Sequence, residues 1–475
     1  MKRRNNTSLQ ASDWWFHSEA ESLAAHLMLS DEARRRDIEL ARPFASIQAG
    51  NSSLGAPVRL QKVLFTEPAS LPREWFYELI PGASLRAYNH ATRTGLFACD
   101  DGQSVTIQCA ENWFARGVDP FNAVYAFERA QKFFAGGFGF SFLSSPTLTG
   151  LYAFESKLPY GLPSSEPSTE WREYLHANTT QARNESFLPK TVGGFYYYDR
   201  RFAYSADACL DLPCGSPDEL SGDEATYQKY EVAWYAVNFN IPEGWQHIGL
   251  LPVLGPDGWF WPRLRIRGGY QTFVAEPELR LAIDAGWPVE IQRKWLFGKA
   301  RPLEKPVKLF VALFERAKIT GCDIEAGIYR RIVLQAIGAL YARSFERETI
   351  IDESELIERN DAAALTAEDL GDGRHSLKDR SQRRESRFYQ PEWAAYIWSR
   401  ARARLNSAML GLPFDSILGC HVDAIYTDRE ALTLTDNGRV GQFRLKGQHV
   451  GSKLAFEKMS DLSRVKMLLE RKGGA

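Results

Sequence analysis

The hydrophobic pattern of the chain changes period several times, and the changes divide it. Residues 1–45 have charged helical spacing, with Ser30-Asp31-Glu32 as a cap ahead of Ala33-Arg34-Arg35-Arg36. From 57 to 160 short apolar runs alternate with Gly, Pro and Asn turns. Val58–Phe65 and Ser104–Cys109 alternate like strands, and 119–134 has helical spacing. Residues 160–170, rich in Pro, Ser and Gly, read as a linker. A strand pattern at Gly194–Tyr204 runs towards a turn at Leu212-Pro213-Cys214-Gly215-Ser216-Pro217, and a β-rich block spans 228–292. Residues 305–345 are helical, in the segments Val307–Ala317 and Ile324–Phe345. Residues 357–388 are polar without apolar period and are expected to form a mobile insertion or loop. A helix is predicted over Glu392–Met409. A strand follows at Ile417–Tyr426, and it is expected to form a hairpin with Ala431–Leu434 across Asp428-Arg429-Glu430. The remainder reads as a short basic tail, and no internal repeat is visible.

Composition narrows the class. At 475 residues the chain exceeds one ordinary core, so two to four subdomains are expected. Aromatic residues make up 13%, enough for stacking surfaces beyond the core, and the net charge of -1 gives no global attraction to nucleic acid. The charge is uneven, however. Arg383, Arg384, Arg387, Arg400, Arg402 and Arg404 crowd one region, and basic residues recur from Arg444 to Lys472, the kind of local stripe that tracks phosphates. Six scattered cysteines contain no CxxC pair, which argues against a zinc site or disulfide framework and for a reducing compartment. No apolar run is long enough to span a bilayer, and no apolar stretch follows the basic start Met1-Lys2-Arg3-Arg4. A soluble, cytoplasmic protein is expected, with no membrane partner.

The candidate chemistry lies in two aspartates. Asp199 ends the aromatic run Phe195-Tyr196-Tyr197-Tyr198, and Asp423 sits in Cys420-His421-Val422-Asp423-Ala424-Ile425. A carboxylate on a buried strand is costly unless a cation or donor meets it. Two such strands side by side would bring both carboxylates to one point, as a site for two magnesium ions and a nucleoside triphosphate requires. Singly, each residue has a plain structural reading: Asp199 or Asp423 capping a turn, Tyr204 in the core, Arg330 and Arg331 solvated on a helix.

Taken in order, these segments make the region 180–460 resemble a family B DNA polymerase of the compact, protein-primed phage and plasmid type. The family's first motif, Asp-x-x-Ser-Leu-Tyr-Pro with a Leu-Pro-x-Gly turn, resembles Asp199-Arg200-Arg201-Phe202-Ala203-Tyr204-Ser205 and Leu212-Pro213-Cys214-Gly215. The finger-helix motif Lys-x-x-x-Asn-Ser-x-Tyr-Gly is similar to Arg331-Ile332-Val333-Leu334-Gln335-Ala336-Ile337-Gly338-Ala339, with Arg for Lys, Gln for Asn and Gly338 at the tyrosine. The third motif, Asp-Thr-Asp-Ser-Ile, resembles His421-Val422-Asp423-Ala424-Ile425, with histidine at its first aspartate.

The resemblance implies an α+β right hand: an antiparallel palm sheet with helices, helical fingers and a short thumb, plus a mixed α/β N-terminal domain. The boundaries it suggests are 1–170 for that N-terminal domain, 171–300 for palm with a β-rich insertion, and 301–350 for fingers. A flexible insertion over 351–390, palm over 391–440 and a short thumb or tail over 441–475 complete the chain. It further implies that Asp199 and Asp423 are catalytic and bridge two Mg2+ ions, with Mn2+ as the alternative metal. Tyr204 would lie under the sugar and reject a 2'-hydroxyl. Arg331 with Arg330 would neutralise the triphosphate, and Gln335 would hydrogen-bond near the incoming nucleotide. Lys453, with Lys446 as second candidate, would serve as the primer-strand lysine, and His421 would ligate or shield a metal. Implied partners are a DNA primer-template, deoxynucleoside triphosphates and a terminal protein or other priming partner, in a bacterial host or phage-infected cell.

The departures carry consequences. Losing one carboxylate to His421 predicts weaker metal binding, slower turnover or a preference for Mn2+. Gly338 predicts a less tightly covered nascent base pair, hence relaxed fidelity. Asp207, Asp211, Glu325 and Asp428 are candidates to replace the missing carboxylate. The family's 3'–5' exonuclease needs several carboxylates beginning with Asp-x-Glu on a buried strand. Asp37-Ile38-Glu39 follows three arginines in a helical context, Asn89-His90 lacks the Phe-Asp that should follow, and Asp100-Asp101 precedes Gly102, so proofreading is expected to be absent. Two alternatives stay open: a template-independent nucleotidyltransferase or primase-polymerase, and a decayed, non-catalytic nucleic-acid-binding scaffold.

Overall fold

The computed structural model describes five N-terminal strands by their backbone. Beyond them it describes residues 112–115, 118, 120–143, 145–158, 167–187, 189–342, 348–358, 367–369, 373–378, 387–434 and 439–472. Asp37, Glu39, Asp100, Asp101, Arg383 and Arg384 lie outside the described residues. The fold is mixed α+β, and the chain divides into two compact units, residues 1–157 with 308–389 and residues 158–307 with 390–475. Among the described residues no helix is long and apolar enough to cross a membrane.

The first unit contains an eight-stranded sheet. Its early strands are β1 (Trp14–His17), β2 (Lys62–Phe65), β3 (Ala83–Asn89), β4 (Thr94–Cys99) and β5 (Ser104–Cys109). Strand β2 pairs in parallel with β1 on one side and with β5 on the other, and the rest are antiparallel. Helices α1 (Pro120–Phe138) and α2 (Pro146–Ser156) follow, the latter started by Ser145, whose side chain accepts from the Leu148 amide.

The second unit holds α3 (Thr169–Asn178), β6 (Arg183–Ser186), β7 (Lys190–Arg200), α4 (Ala203–Ala208), β8 (Leu212–Ser221), β9 (Ala233–Phe239), β10 (Val253–Gly255), β11 (Gly258–Phe260), β12 (Tyr270–Ala275), α5 (Glu276–Asp284) and β13 (Val289–Ala300). The helical region is α6 (Glu304–Ile319) and α7 (Asp323–Ala339). Then come β14 (Glu348–Asp352), α8 (Glu353–Glu358), β15 (Glu368–Asp369) and β16 (Arg374–Lys378) of the first unit. The chain ends, back in the second unit, with α9 (Pro391–Leu410), β17 (Ile417–Val422), β18 (Ala424–Thr427), β19 (Phe443–Phe456) and α10 (Met459–Lys472).

Four local expectations are corrected. The polar stretch expected as a loop contributes β15 and β16, which join β14 at the end of the N-terminal sheet, with Ile351 and Leu377 buried between them. These strands are short and polar on one side, so they show no apolar period. The Leu212–Pro217 turn is instead the start of β8. As the edge strand of the order β12-β9-β13-β8 it accommodates Pro213 and Pro217, and Gly215 (φ 78°) lies where its register with β13 is interrupted. The hairpin of Asp423 closes at Asp423 itself, between β17 and β18, while Leu432–Leu434 form a 3-10 turn. The segment after 441, expected as a short tail, supplies β19, which pairs along β7.

In the first unit α7 packs against α2 at Gly150. A Cβ there would lie 2.5 Å from the Ala336 Cβ and 2.7 Å from the Ile332 carbonyl oxygen. Gly150→Ala is therefore expected to force the helices apart and to cost about 1–3 kcal/mol, read as a lower urea midpoint. The second unit is built on the antiparallel sheet β19-β7-β18-β17-β6. Alternation along β7 sends Phe195 and Tyr197 to one side, against Phe456, Leu462 and Val465. Tyr198 goes to the other, into a cluster with Leu405 and Met409 of α9. Each such buried aromatic contributes about 1.5–3 kcal/mol. Helix α9 starts with Pro391 at its first turn beside Glu392 and is buried along most of its length. The two layers fix the end of β7, where Asp199 sits.

Candidate active site

Asp199 is the next-to-last residue of β7, and Ala424 of β18 lies opposite it. The Arg200 amide donates to the Asp423 carbonyl over 3.2 Å, so the end of β7 that carries Asp199 adjoins the hairpin turn that carries Asp423. Asp199 is buried and Asp423 half-buried. Both are followed or preceded by strained backbone. Val422 has φ 62° and Phe202 has φ 52°, a region that β-branched and bulky side chains rarely enter. Such strain persists only where the surroundings enforce it and clusters at functional sites. Here the Val422 amide donates to the Asn184 Oδ1 over 3.1 Å, pinning the turn.

The cation at Asp199 is Lys446, whose Nζ lies 3.1 Å from Asp199 Oδ2. Along β19, Arg444 pairs with Asp199, Leu445 with Tyr198 and Gly447 with Tyr197, which leaves Lys446 as an extra, bulged residue. A bulge re-aims one side chain without ending the ladder. Lys453, the first candidate from the sequence, is exposed where the register shifts again between Val450 and Leu454. Gly447 follows the bulged residue, and a glycine inside a strand often marks a bulge, but the sequence reading took this segment as a tail.

Arg200 is clamped below the pair. Its Nη1 and Nη2 donate to Asp207 over 2.7 and 3.1 Å, and its Nε donates to the Gly441 carbonyl over 2.7 Å. Arg404 Nε adds an ion pair to Asp207 at 3.0 Å. Sequence reading missed this clamp, since Asp207 figured only as a substitute metal ligand. Asp207 is fully buried in this pairing. The other candidate substitutes also have cationic partners: Asp211 with Arg301, Asp428 with Lys190 and Arg429, and Glu325, in the first unit, with Arg129 and Arg316. Among the described residues no group of three or more His, Cys, Asp or Glu is assembled to hold a metal ion.

Tyr204 lies on α4, half-buried. Burial raises its phenol above the usual range, and the negative charge of Asp423 adds to that, which places the ring in the field of the carboxylate. His421 pairs across the hairpin with Ala424 and is half-buried. Burial first, and the Lys466 ammonium second, lower its pKa, so the imidazole is held neutral. Arg330, Arg331 and Gln335 are gathered on α7 in the first unit. With Trp113 and Phe114 they line a cavity of about 460 Å³. Gln335 Oε1 accepts from the Thr147 hydroxyl over 3.0 Å.

No protein-family model matches the sequence, and no curated protein matches it. Solved structures do. Phi29 DNA polymerase complexed with single-stranded DNA aligns with a TM-score of 0.56 at 11% identity, covering 84% of this chain and 77% of that one. Phi29 DNA polymerase complexed with primer-template DNA and incoming nucleotide substrates aligns at 0.55 and 12%, covering 87% and 78%. The orthorhombic crystal form of Phi29 DNA polymerase aligns at 0.53 and 12%, covering 82% and 76%. The likeness at this identity is one of fold: the chain has a mixed α+β fold similar to that of Phi29 DNA polymerase.

Proposed function

We propose that the protein is a family B-like DNA polymerase without proofreading, adding deoxynucleotides to a 3'-hydroxyl on a primer-template. The observation that carries this is the backbone hydrogen bond from Arg200, next to Asp199, to the Asp423 carbonyl, which sets the end of β7 beside the hairpin turn of Asp423, with Tyr204 in the field of Asp423, in a chain with this fold. In this reading the sheet containing β7 is the palm and α6 with α7 form the fingers. A terminal protein or other priming partner is a further proposed partner.

Two carboxylates fit magnesium, which is usually held by one or two carboxylates together with substrate phosphates rather than by an all-protein cage. Asp199 and Asp423 would hold it, and when bound it would supply Lewis-acid stabilisation of the transferring phosphoryl group. The protein's own groups do the rest. Lys446 keeps the buried Asp199 carboxylate compensated. Tyr204 limits space at the sugar.

The test is extension of a labelled primer on a longer template with all four deoxynucleoside triphosphates and Mg2+ or Mn2+. Templated extension is expected. Extension of a single strand without template would replace this reading with a template-independent transferase. DNA binding with no extension in either metal, and none from a protein-primed start, would replace it with a scaffold.

Two further outcomes follow from the same geometry. Lys446→Ala leaves the Asp199 carboxylate without its cation, so stability in EDTA is expected to fall by about 1–3 kcal/mol. Added Mg2+ is expected to narrow the gap to wild type in thermal melts. His421→Asp restores a negative charge next to the hairpin turn, where the Lys466 ammonium favours a carboxylate. It is expected to lower the half-saturating Mg2+ concentration for extension by about tenfold, since ligand charge sets affinity at such sites.

A further inference from the structure

A groove of about 540 Å³ lies on the face of the sheet β12-β9-β13, in the second unit and built from none of the candidate active-site residues. Its lining is aromatic and carboxamide in character. Tyr174 of α3 and Trp259 of β11 supply rings, and Asn178, Asn238, Gln271 and Gln292 supply amides. No lysine, arginine or carboxylate lines it.

The Tyr174 ring is held in place. Tyr174 is 37% exposed, yet its ring is braced edge-on against Phe273 at 5.0 Å and tilted against Trp295 at 5.6 Å. Arg293 stacks over Trp295 at 4.8 Å, and its charge acts on the Tyr174 phenol. The amides are ordered by the sheet. Gln271 and Asn238 are direct cross-strand partners, and Asn238 Nδ2 donates to Glu290 over 3.3 Å. Gln292 is the extra residue of a bulge between Ile291 and Arg293, and it is exposed.

A braced tyrosine and a tryptophan beside carboxamides match the chemistry of an unpaired nucleobase. A base offers a π-face to an aromatic side chain, and its edge pairs donors with acceptors as Asn and Gln do. We propose that this groove binds the unpaired bases of single-stranded DNA. Tyr174 and Trp259 stack on the bases, and Gln271 and Gln292 meet their edges. The choice of DNA as the strand rests on the polymerase reading, whereas the nucleobase chemistry of the groove does not.

The test is photocrosslinking of the full chain to a single-stranded oligonucleotide carrying 5-iododeoxyuridine, with the cross-linked peptide mapped by mass spectrometry. Affinity is measured in parallel by fluorescence anisotropy, for wild type, Trp259→Ala and Gln271→Ala. Gln271 is exposed, so its substitution leaves the core intact. Cross-links to Tyr174 or Trp259 are expected. Trp259→Ala is expected to weaken the oligonucleotide by about 5- to 150-fold, equivalent to the about 1–3 kcal/mol of one base stack. Gln271→Ala is expected to weaken it less and to change the preference among homopolymers. Cross-links only elsewhere, with unchanged affinity in both variants, would overturn the proposal and leave the groove to a peptide or glycan. Primer extension separates the two readings. Cross-linking in the groove without extension sinks the polymerase alone, and extension without groove cross-links sinks the groove alone.

Discussion

Asp199→Asn and Asp423→Asn are each expected to abolish primer extension, lowering its rate by about a thousandfold or more. The substitution keeps shape and removes one negative charge. A metal held by only two carboxylates loses half its protein charge with either change. Metal stabilisation of a phosphoryl transition state is worth several kcal/mol, and each 1.36 kcal/mol is tenfold in rate. Both variants are expected to fold and to keep DNA binding, because neither aspartate anchors a core cluster. Asp199→Asn leaves the Lys446 ammonium without its partner, but that side chain is 29% exposed and can turn to water. The comparison is made by single-turnover extension beside anisotropy binding. Extension near the wild-type rate in either variant would remove that residue from the site, and equal retention in both would remove the polymerase reading with them.

Asp207→Ala is expected to show the largest loss of stability, about 3–5 kcal/mol, because it breaks a buried pair and leaves charge uncompensated. The Asp207 carboxylate meets Arg200 through two oxygens and Arg404 through one, and it is fully buried. Burial already pulls the guanidinium of Arg404 below its usual range, and Asp207 acts against that pull. Arg200 is 2% exposed, so it has no route to water once Asp207 is gone. Its backbone amide holds Asp423 and its Nε holds Gly441, hence the loss reaches the site as well. Urea unfolding followed by circular dichroism checks the value. Asp207→Asn, which keeps an acceptor and loses the charge, is expected to fall between wild type and Asp207→Ala. A loss below about 1 kcal/mol, the range of an exposed pair, would show that the clamp carries little.

Much of the element order was legible because it depends on local periodicity. The helices now bounded as Glu304–Ile319, Asp323–Ala339 and Pro391–Leu410 show it in their apolar spacing, and the aromatic run of β7 announces a strand buried on both faces. The two aspartates stood out for the same local reason, a charge at the end of an apolar run. Bringing the two segments side by side required pairing, and pairing is decided between segments far apart in sequence. The register of β18 on β7 puts Ala424 opposite Asp199, and a slip of one residue would turn every side chain to the other face. Lys446 stood behind Lys453 as a candidate until the bulge in β19 aimed it. Asp207 read as a spare ligand, because only the left-handed turn at Phe202 brings α4 back under Arg200. The strands at 348–378 were missed since their few apolar residues are buried only when the N-terminal sheet receives them. The sequence by itself determined which segments are helices, which strand is doubly buried and which residue types could do the chemistry. The tertiary structure decided which of those segments adjoin and which cations Asp199 and Asp207 keep, because desolvation and strand register act only once distant segments pack.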